Sequence, residues 1–380
     1  MCYIGSSSIS KKEESGYLIR NWDLYYSVES CRIMVDNLGL STIERKFILI
    51  CNTAKTCRPL GIYLLEALQM NIGILFDAST TTKQGVVTEH SLFSSVSKIA
   101  NQLEQMGHVC SLFESVRGFR ELETRSQDID VVINYIPWTR TNKKILFPSL
   151  LNFIGLPFIG NSDEALMLCA DKVLTKLIAR ENEIPVPRYT NLIASGSFEK
   201  IKDRLGIPFV LKANRTSGSL GVRLIHNSEE YQDALVCLSK LWGTDIFAEE
   251  YISGIDITIP VVTEKDIPKA LGTTTYVNEK HELIPFFTHD YKYHEKLICS
   301  NYCDFALASQ ALIYAERLHS LCKCTALSRV DFRLDAEGNL YLLEINGTPE
   351  LNPSGAFTVA GMGRKFSDVL QLCLDEALRP

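Results

Sequence analysis

Four side chains late in the chain have types and spacing that could do chemistry together: Arg329 and Asp331, then Glu344 and Asn346. Side chains alternate faces along a strand, so the two members of each pair, two residues apart, share a face. The intervening Asp335-Ala336-Glu337-Gly338-Asn339 has hairpin-turn composition. An antiparallel hairpin over Val330–Leu334 and Leu340–Ile345 can bring the two pairs together. Asp, Glu and Asn present only hard oxygen ligands, the set suited to magnesium carrying substrate phosphates. Arg329 beside them can hold developing negative charge with two N–H groups. An exposed hairpin with a routine Arg–Glu pair is the alternative. Against it, Val330, Phe332, Leu342, Leu343 and Ile345 indicate a buried sheet, where clustered charge needs a bound partner.

Three weaker features point the same way. Lys212 ends the apolar run Ile207–Leu211 and precedes a small-residue loop, Asn214 to Gly221. N–H groups around Ser217, Gly218 and Ser219 could close over a phosphate that Lys212 meets. The loop is not of the Gly-Lys-Ser/Thr kind. Glu249-Glu250-Tyr251-Ile252, with Asp256 after it, could offer an adenine edge and ribose hydroxyls their acceptors and an aromatic wall. Lys292-Tyr293 lies in a basic, aromatic stretch (286–296) that could cover an anion. No nucleophile elbow, His-Glu-x-x-His or Cys/His pair is visible, so transfer between bound substrates, stabilised by metal and cations, is the expected chemistry.

The elements that must position these residues read as an α/β chain that becomes α+β in its C-terminal part. Residues 1–45 are polar and poorly signalled. Over 46–160, strands at 46–51, 72–77, 108–113 and 130–134 alternate with helices at 59–70, 92–103 and 146–156, which predicts a parallel sheet with helices on both faces. Residues 161–253 open with one helix from its cap Ser162 through Asp171-Lys172 to Arg180. Strands at 207–212, 222–225 and 246–251 follow, with a helix at 228–241. Residues 254–380 hold alternating strand patterns, a helix at 306–321, the hairpin and a final helix at 366–378. No internal repeat is present.

Bulk properties narrow the class. The 380 residues are 46% hydrophobic and 22% charged, as in an ordinary globular protein, and long enough for two or three subdomains. A net charge of -6 gives no reason to expect nucleic acid or an anionic membrane as partner. The opening residues lack the apolar core of a signal peptide, and no run approaches the ~18 apolar residues of a membrane span. The twelve cysteines are scattered and form no repeated CxxC set. They are expected to be reduced thiols of a cytoplasmic protein, mostly small core residues.

Taken in order, Asp171-Lys172, Lys212 with Ser217-Gly218-Ser219-Leu220-Gly221, Glu249 through Asp256, Lys292-Tyr293, Ser328-Arg329-Val330-Asp331-Phe332 and Leu343-Glu344-Ile345-Asn346-Gly347-Thr348-Pro349 resemble the D-alanine–D-alanine ligase family of the ATP-grasp superfamily. The similarity runs from about Leu156 to the C-terminus. It implies an ATP-grasp fold: an N-terminal α/β domain and two subdomains with ATP between them. By resemblance, Lys172 and Lys212 contact ATP phosphates, and Glu249, Glu250 and Ile252 line the adenine pocket. Asp256 binds ribose, Lys292 reaches the γ-phosphate, and Asp331, Glu344 and Asn346 hold two magnesium ions, with manganese as an alternative. Arg329 stabilises acyl transfer. The implied reaction joins the carboxylate of one amino acid or small peptide to an amine through an acylphosphate, with a homodimer as the expected assembly. The rival reading is a nucleotide-binding regulator or scaffold without catalysis. Departures fall at the substrate pockets. Gly218 replaces the first serine of the family's lid, and Glu350 replaces an oxyanion-binding glycine. The carboxylate-binding Ser-Leu pair falls near Gly355-Ala356, with Ser354 one position away. The N-terminal motif that anchors the first amino group has only Glu89 as a distant match, and Asn134–Thr139 replaces a His-Gly loop.

Overall fold

The computed structural model describes residues 69–77, 89–136, 147–191, 196–216, 221–284, 286, 297–302, 305–361 and 363–379. The strand expected at 46–51 lies outside them. Of the helix expected over 59–70, only Gln69 and Met70 are described, and neither is helical.

The first sheet has the order β2-β1-β3-β4, with β1 at Asn71–Phe76, β2 at Val109–Glu114, β3 at Val131–Tyr135 and β4 at Phe158–Ile159. All its pairings are parallel. Central β1 and β3 are apolar almost throughout because helices cover both faces: α1 (Glu89–Gln105), α2 (Ser115–Thr124) and α3 (Phe147–Phe153). Ile72, Ile74, Val131 and Ile133 pack on one side with Val96, Ile99 and Leu103 of α1. Leu75 and Val132 pack on the other with Phe119 and Leu122 of α2 and Leu151 of α3.

The single helix expected from Ser162 to Arg180 is instead two, α4 (Asp163–Ala170) and α5 (Lys172–Glu181). Ser162 caps the first as expected, its Oγ accepting from the Ala165 N–H at 3.2 Å. The break is at Asp171, whose backbone is extended and whose carboxylate accepts from the Leu174 N–H at 3.0 Å. A short acidic side chain that bonds nearby backbone competes with helix continuation and starts a new helix. The break makes Lys172 the first residue of α5.

The second sheet is antiparallel, of order β5-β8-β6-β7: β5 at Tyr189–Asn191, β6 at Phe209–Ala213, β7 at Val222–Ile225 and β8 at Ile246–Glu250. One face packs on α6 (Phe198–Leu205) and α7 (Ser228–Trp242) through Phe198, Phe209, Tyr231 and Leu238. The third sheet runs β12-β11-β9-β13-β14, with β10 also on β9. Its strands are β9 (Ile255–Glu264), β10 (Ile267–Ala270), β11 (Thr274–Val277), β12 (Ile298–Asn301), β13 (Leu327–Leu334) and β14 (Leu340–Asn346). The apolar face, with Ile257, Ile259, Val330 and Phe332, packs on Ala311, Ala315 and Leu318 of α8 (Phe305–Leu321). Two helices close the chain, α9 (Ala356–Val359) and α10 (Phe366–Ala377). Val369, Leu370 and Leu374 of α10 pack into the core of the first sheet.

Candidate active site

The hairpin register puts Arg329 opposite Asn346 and Asp331 opposite Glu344. Strict alternation would not deliver this arrangement. Leu342 and Ile345 are both buried, three residues apart, and the ladder shifts between Asp331 and Phe332 so that Leu343 has no partner. This bulge turns Glu344 onto the face of Asp331 while Leu342 and Ile345 stay in the core and Leu343, expected to be buried, is only half-buried. Asp331 is held by two side chains. Thr258 Oγ1 on β9 donates to Oδ1 at 2.8 Å, Arg329 Nη2 donates to Oδ2 at 2.8 Å, and Arg329 Nε lies 3.1 Å from Oδ1. Burial works against the Arg329 charge, but contact with Asp331 outweighs it and holds the guanidinium firmly protonated. Asn346 Nδ2 lies 3.2 Å from Asp331 Oδ2 and 3.3 Å from Glu344 Oε1. A half-turn of that carboxamide, which coordinates alone do not distinguish, aims its oxygen at the same point. Three hard-oxygen donors then converge, which fits a magnesium ion that shares its shell with substrate phosphates. Among the described residues no three His, Cys, Asp or Glu side chains are grouped to hold a metal. Two carboxylates and one amide leave most positions of an octahedral shell to other ligands.

Lys172 joins this group, its Nζ 3.3 Å from Glu344 Oε2. The same ammonium donates to the Thr216 carbonyl, and the Lys172 N–H donates to Asn214 Oδ1 at 2.8 Å. Arg215, at positive φ, links Asp171 and Asp245. The start of the loop after β6 is thus tied to the head of α5. The loop returns at Gly221, where a Cβ would lie 2.5 Å from that of Ala213. Ser217, Gly218 and Ser219 lie outside the described residues, as does Lys292.

Behind the hairpin is a buried charge cluster that the sequence reading found only in part. Glu249 is 1% exposed and receives Lys212 Nζ at 2.5 Å and Lys176 Nζ at 2.6 Å. Lys176, fully buried, also donates to the Leu342 carbonyl of β14 at 2.9 Å. Burial pushes the Lys176 ammonium down to about 8, against the pull of Glu249. Burial alone would raise the Glu249 carboxyl, but the two ammonium groups hold it below the usual carboxylate range. Lys176 was readable in principle, since it stands four residues after Lys172 and shares its helix face.

The remaining predicted residues separate. Glu250 faces away from Glu249, as strand alternation requires, and grips Arg188 at 2.7 and 2.9 Å. Asp256 pairs with Arg333 at 2.7 Å, a residue the sequence reading passed over. Arg333 Nε donates to the Ile252 carbonyl at 2.8 Å, and its guanidinium lies 5.8 Å from the Tyr251 ring centre. One buried arginine therefore gathers Tyr251, Ile252 and Asp256 at one corner. Its signal was register: Arg333 stands opposite Asp256 on β9.

Residues 178–374, more than half of the chain, match the model of the family described as D-ala D-ala ligase C-terminus. The chain belongs to this family. Among relatives of this D-ala D-ala ligase C-terminus member, the protein y4sG of Sinorhizobium fredii, itself uncharacterized, is 28% identical over 238 residues, 61% of this chain and 69% of that one. A D-alanine--D-alanine ligase of a Synechococcus species is 27% identical over 241 residues, 60% of this chain and 71% of that one. Among solved structures, the Bacillus anthracis D-alanine--D-alanine ligase complexed with ATP matches with a TM-score of 0.64 at 20% identity, covering 81% of this chain and 97% of that one. That likeness identifies the fold as ATP-grasp. No helix among the described residues is long and apolar enough to cross a membrane.

Proposed function

We propose that the chain is an ATP-dependent carboxylate–amine ligase that makes an amide through an acylphosphate, acting on amino acids or a small peptide. The observation that carries this reading is the set of Arg329, Asp331, Glu344 and Asn346 on one hairpin face, with Lys172 reaching Glu344 from another element. A site that transfers a phosphoryl group between bound substrates needs anchored cations and hard-oxygen ligands, and no protein nucleophile. The substrate carboxylate attacks the γ-phosphate of ATP and ADP leaves. The amine then attacks the acyl carbon and phosphate leaves. Magnesium held by Asp331, Glu344 and Asn346 would offset charge on the phosphates.

In this reading Lys172, Lys212 and Lys292 meet the phosphates, with Ser217, Gly218 and Ser219 closing over them. Glu249, Glu250 and Ile252 line the adenine pocket, and Asp256 takes ribose. Arg329 steadies the acyl oxygen as negative charge develops. The reading divides the chain into an extension of 1–45, an N-terminal domain of 46–160, and subdomains 161–253 and 254–380 that hold the nucleotide. The protein works in the cytoplasm as a homodimer.

ADP formation with magnesium-ATP and a panel of D- and L-amino acids tests the reading. Glu344→Ala and Arg329→Ala are each expected to lower turnover by at least about a hundredfold with unchanged circular dichroism. Unchanged phosphate release in either variant would overturn the assignment. ATP binding with no amino-acid-dependent release would favour a non-catalytic nucleotide binder.

A further inference from the structure

Glu350 lies four residues past Asn346, in the segment that leaves β14, and its side chain is exposed. Oε1 is anchored by Asn352 Nδ2 at 2.9 Å and Ser95 Oγ at 3.3 Å, both neutral. Among the described residues no lysine, arginine or histidine pairs with it. The wall around it continues through Ser95 to the Tyr135 phenol, whose oxygen accepts the Leu351 N–H at 3.1 Å. The charges of Arg329 and Glu350 both act on Tyr135, on Tyr276 of β11 and on Cys299 of β12. Arginine and glutamate therefore both lie within electrostatic reach of the same three side chains. Burial keeps both phenols protonated, Tyr135 up to about 12, so they contribute no charge. Arg329 has its guanidinium engaged by Asp331 at both Nε and Nη2. Among the described residues, the Glu350 carboxylate is the charge in this group that no cation pairs.

A carboxylate fixed beside the arginine of the reacting centre discriminates by sign. It repels a substrate that brings a second carboxylate to this spot and attracts one that brings an ammonium or guanidinium. We infer that Glu350 is a specificity residue of the amine subsite, which takes amines bearing a second cationic group: diamines and amino acids with basic side chains. The inference rests on the ligase reading above.

The test separates the two. Hydroxylamine captures an acylphosphate as a hydroxamate whatever the natural amine is, so hydroxamate formed from an amino-acid panel with magnesium-ATP reports the first half-reaction alone. Absence of hydroxamate from every carboxylate overturns the ligase reading and this inference with it. Where hydroxamate forms, matched amines follow: 1,4-diaminobutane against 1-aminobutane, and lysine against norleucine. The wild-type protein is expected to prefer each cationic member by at least about tenfold in kcat/KM. Glu350→Gln keeps size and an acceptor for Asn352. It is expected to collapse the preference through KM of the cationic amine, and Glu350→Asp to retain part of it. Equal kcat/KM within the wild-type pairs, or an undiminished preference in Glu350→Gln, overturns the inference and leaves the ligase reading standing.

Discussion

The two ends of the site treat charge in opposite ways. Toward the proposed nucleotide, charges are paired inside the fold: Glu249 with Lys176 and Lys212, Glu344 with Lys172, Asp331 with Arg329, Asp256 with Arg333. Several of these groups are almost wholly buried and link strands of two different sheets through α5. Toward the proposed amine, Glu350 is exposed, and its partners among the described residues are neutral. A buried charge network tolerates little change, because removal of one member strands the others in low dielectric. An exposed carboxylate can be exchanged without that penalty. On the proposed reading, this contrast lets the nucleotide side keep a family pattern while the substrate side departs from it.

The sharpest way to break the contrast is Glu249→Ala. It would leave two ammonium groups buried without their anion, at an expected cost of about 3–5 kcal/mol. Urea unfolding monitored by tryptophan fluorescence measures it. A loss below about 1 kcal/mol would mean that the cluster is better solvated than its burial indicates, and the distinction between the two ends would fail.

The pH dependence tests the same cluster more gently. Folding lowers the Lys176 ammonium from 10.5 to about 8. Between those values the unfolded chain binds more protons than the folded one, so this lysine makes stability rise with pH across that window. The slope cannot exceed about 1.4 kcal/mol per pH unit for one group. Glu249 has the same sign of pH dependence, but at acid pH. Its lowered carboxyl contributes stability above 4.5 that is lost as pH falls below that value. Urea midpoints at pH 8, 9 and 10 for the wild type and Lys176→Met provide the check. The variant should lack part of the rise, and parallel profiles would rule out the assignment.

How much of this was legible in the sequence depended on range. The parallel sheet, the Ser162 cap and the hairpin were readable because periodicity and capping are local. The break at Asp171 was hidden because the apolar pattern continues through it, whereas the deciding hydrogen bond belongs to a single side chain. The bulge at Leu343 was hidden for a related reason: a two-residue period holds only while the ladder is regular. Arg329, Asp331, Glu344 and Asn346 were found as a set because two short spacings and one turn define them. Lys176 and Arg333 were missed because their partners lie 73 and 77 residues away, on strands whose pairing no local pattern reveals. Glu350 was noticed only as a departure from a family pattern. One of its hydrogen-bond partners, Ser95, is 255 residues distant.

The mildest test uses the pair that resembles the buried ones in geometry alone. Arg188 meets Glu250 through two hydrogen bonds, as good a fork as Arg329 makes with Asp331, yet its side chain is 61% exposed. Water solvates both partners when the contact breaks, so geometry contributes little without desolvation. Arg188→Ala is expected to cost no more than about 1 kcal/mol in urea unfolding and to shift the midpoint less than any change in the Glu249 cluster. Added salt should shrink even that difference, because exposed charges are screened. If Arg188→Ala destabilised the fold as much as Glu249→Ala, burial would not be the variable that separates the structural charges from the exchangeable ones. The Glu250–Arg188 pair would then belong with the fixed, nucleotide-side network despite its exposure.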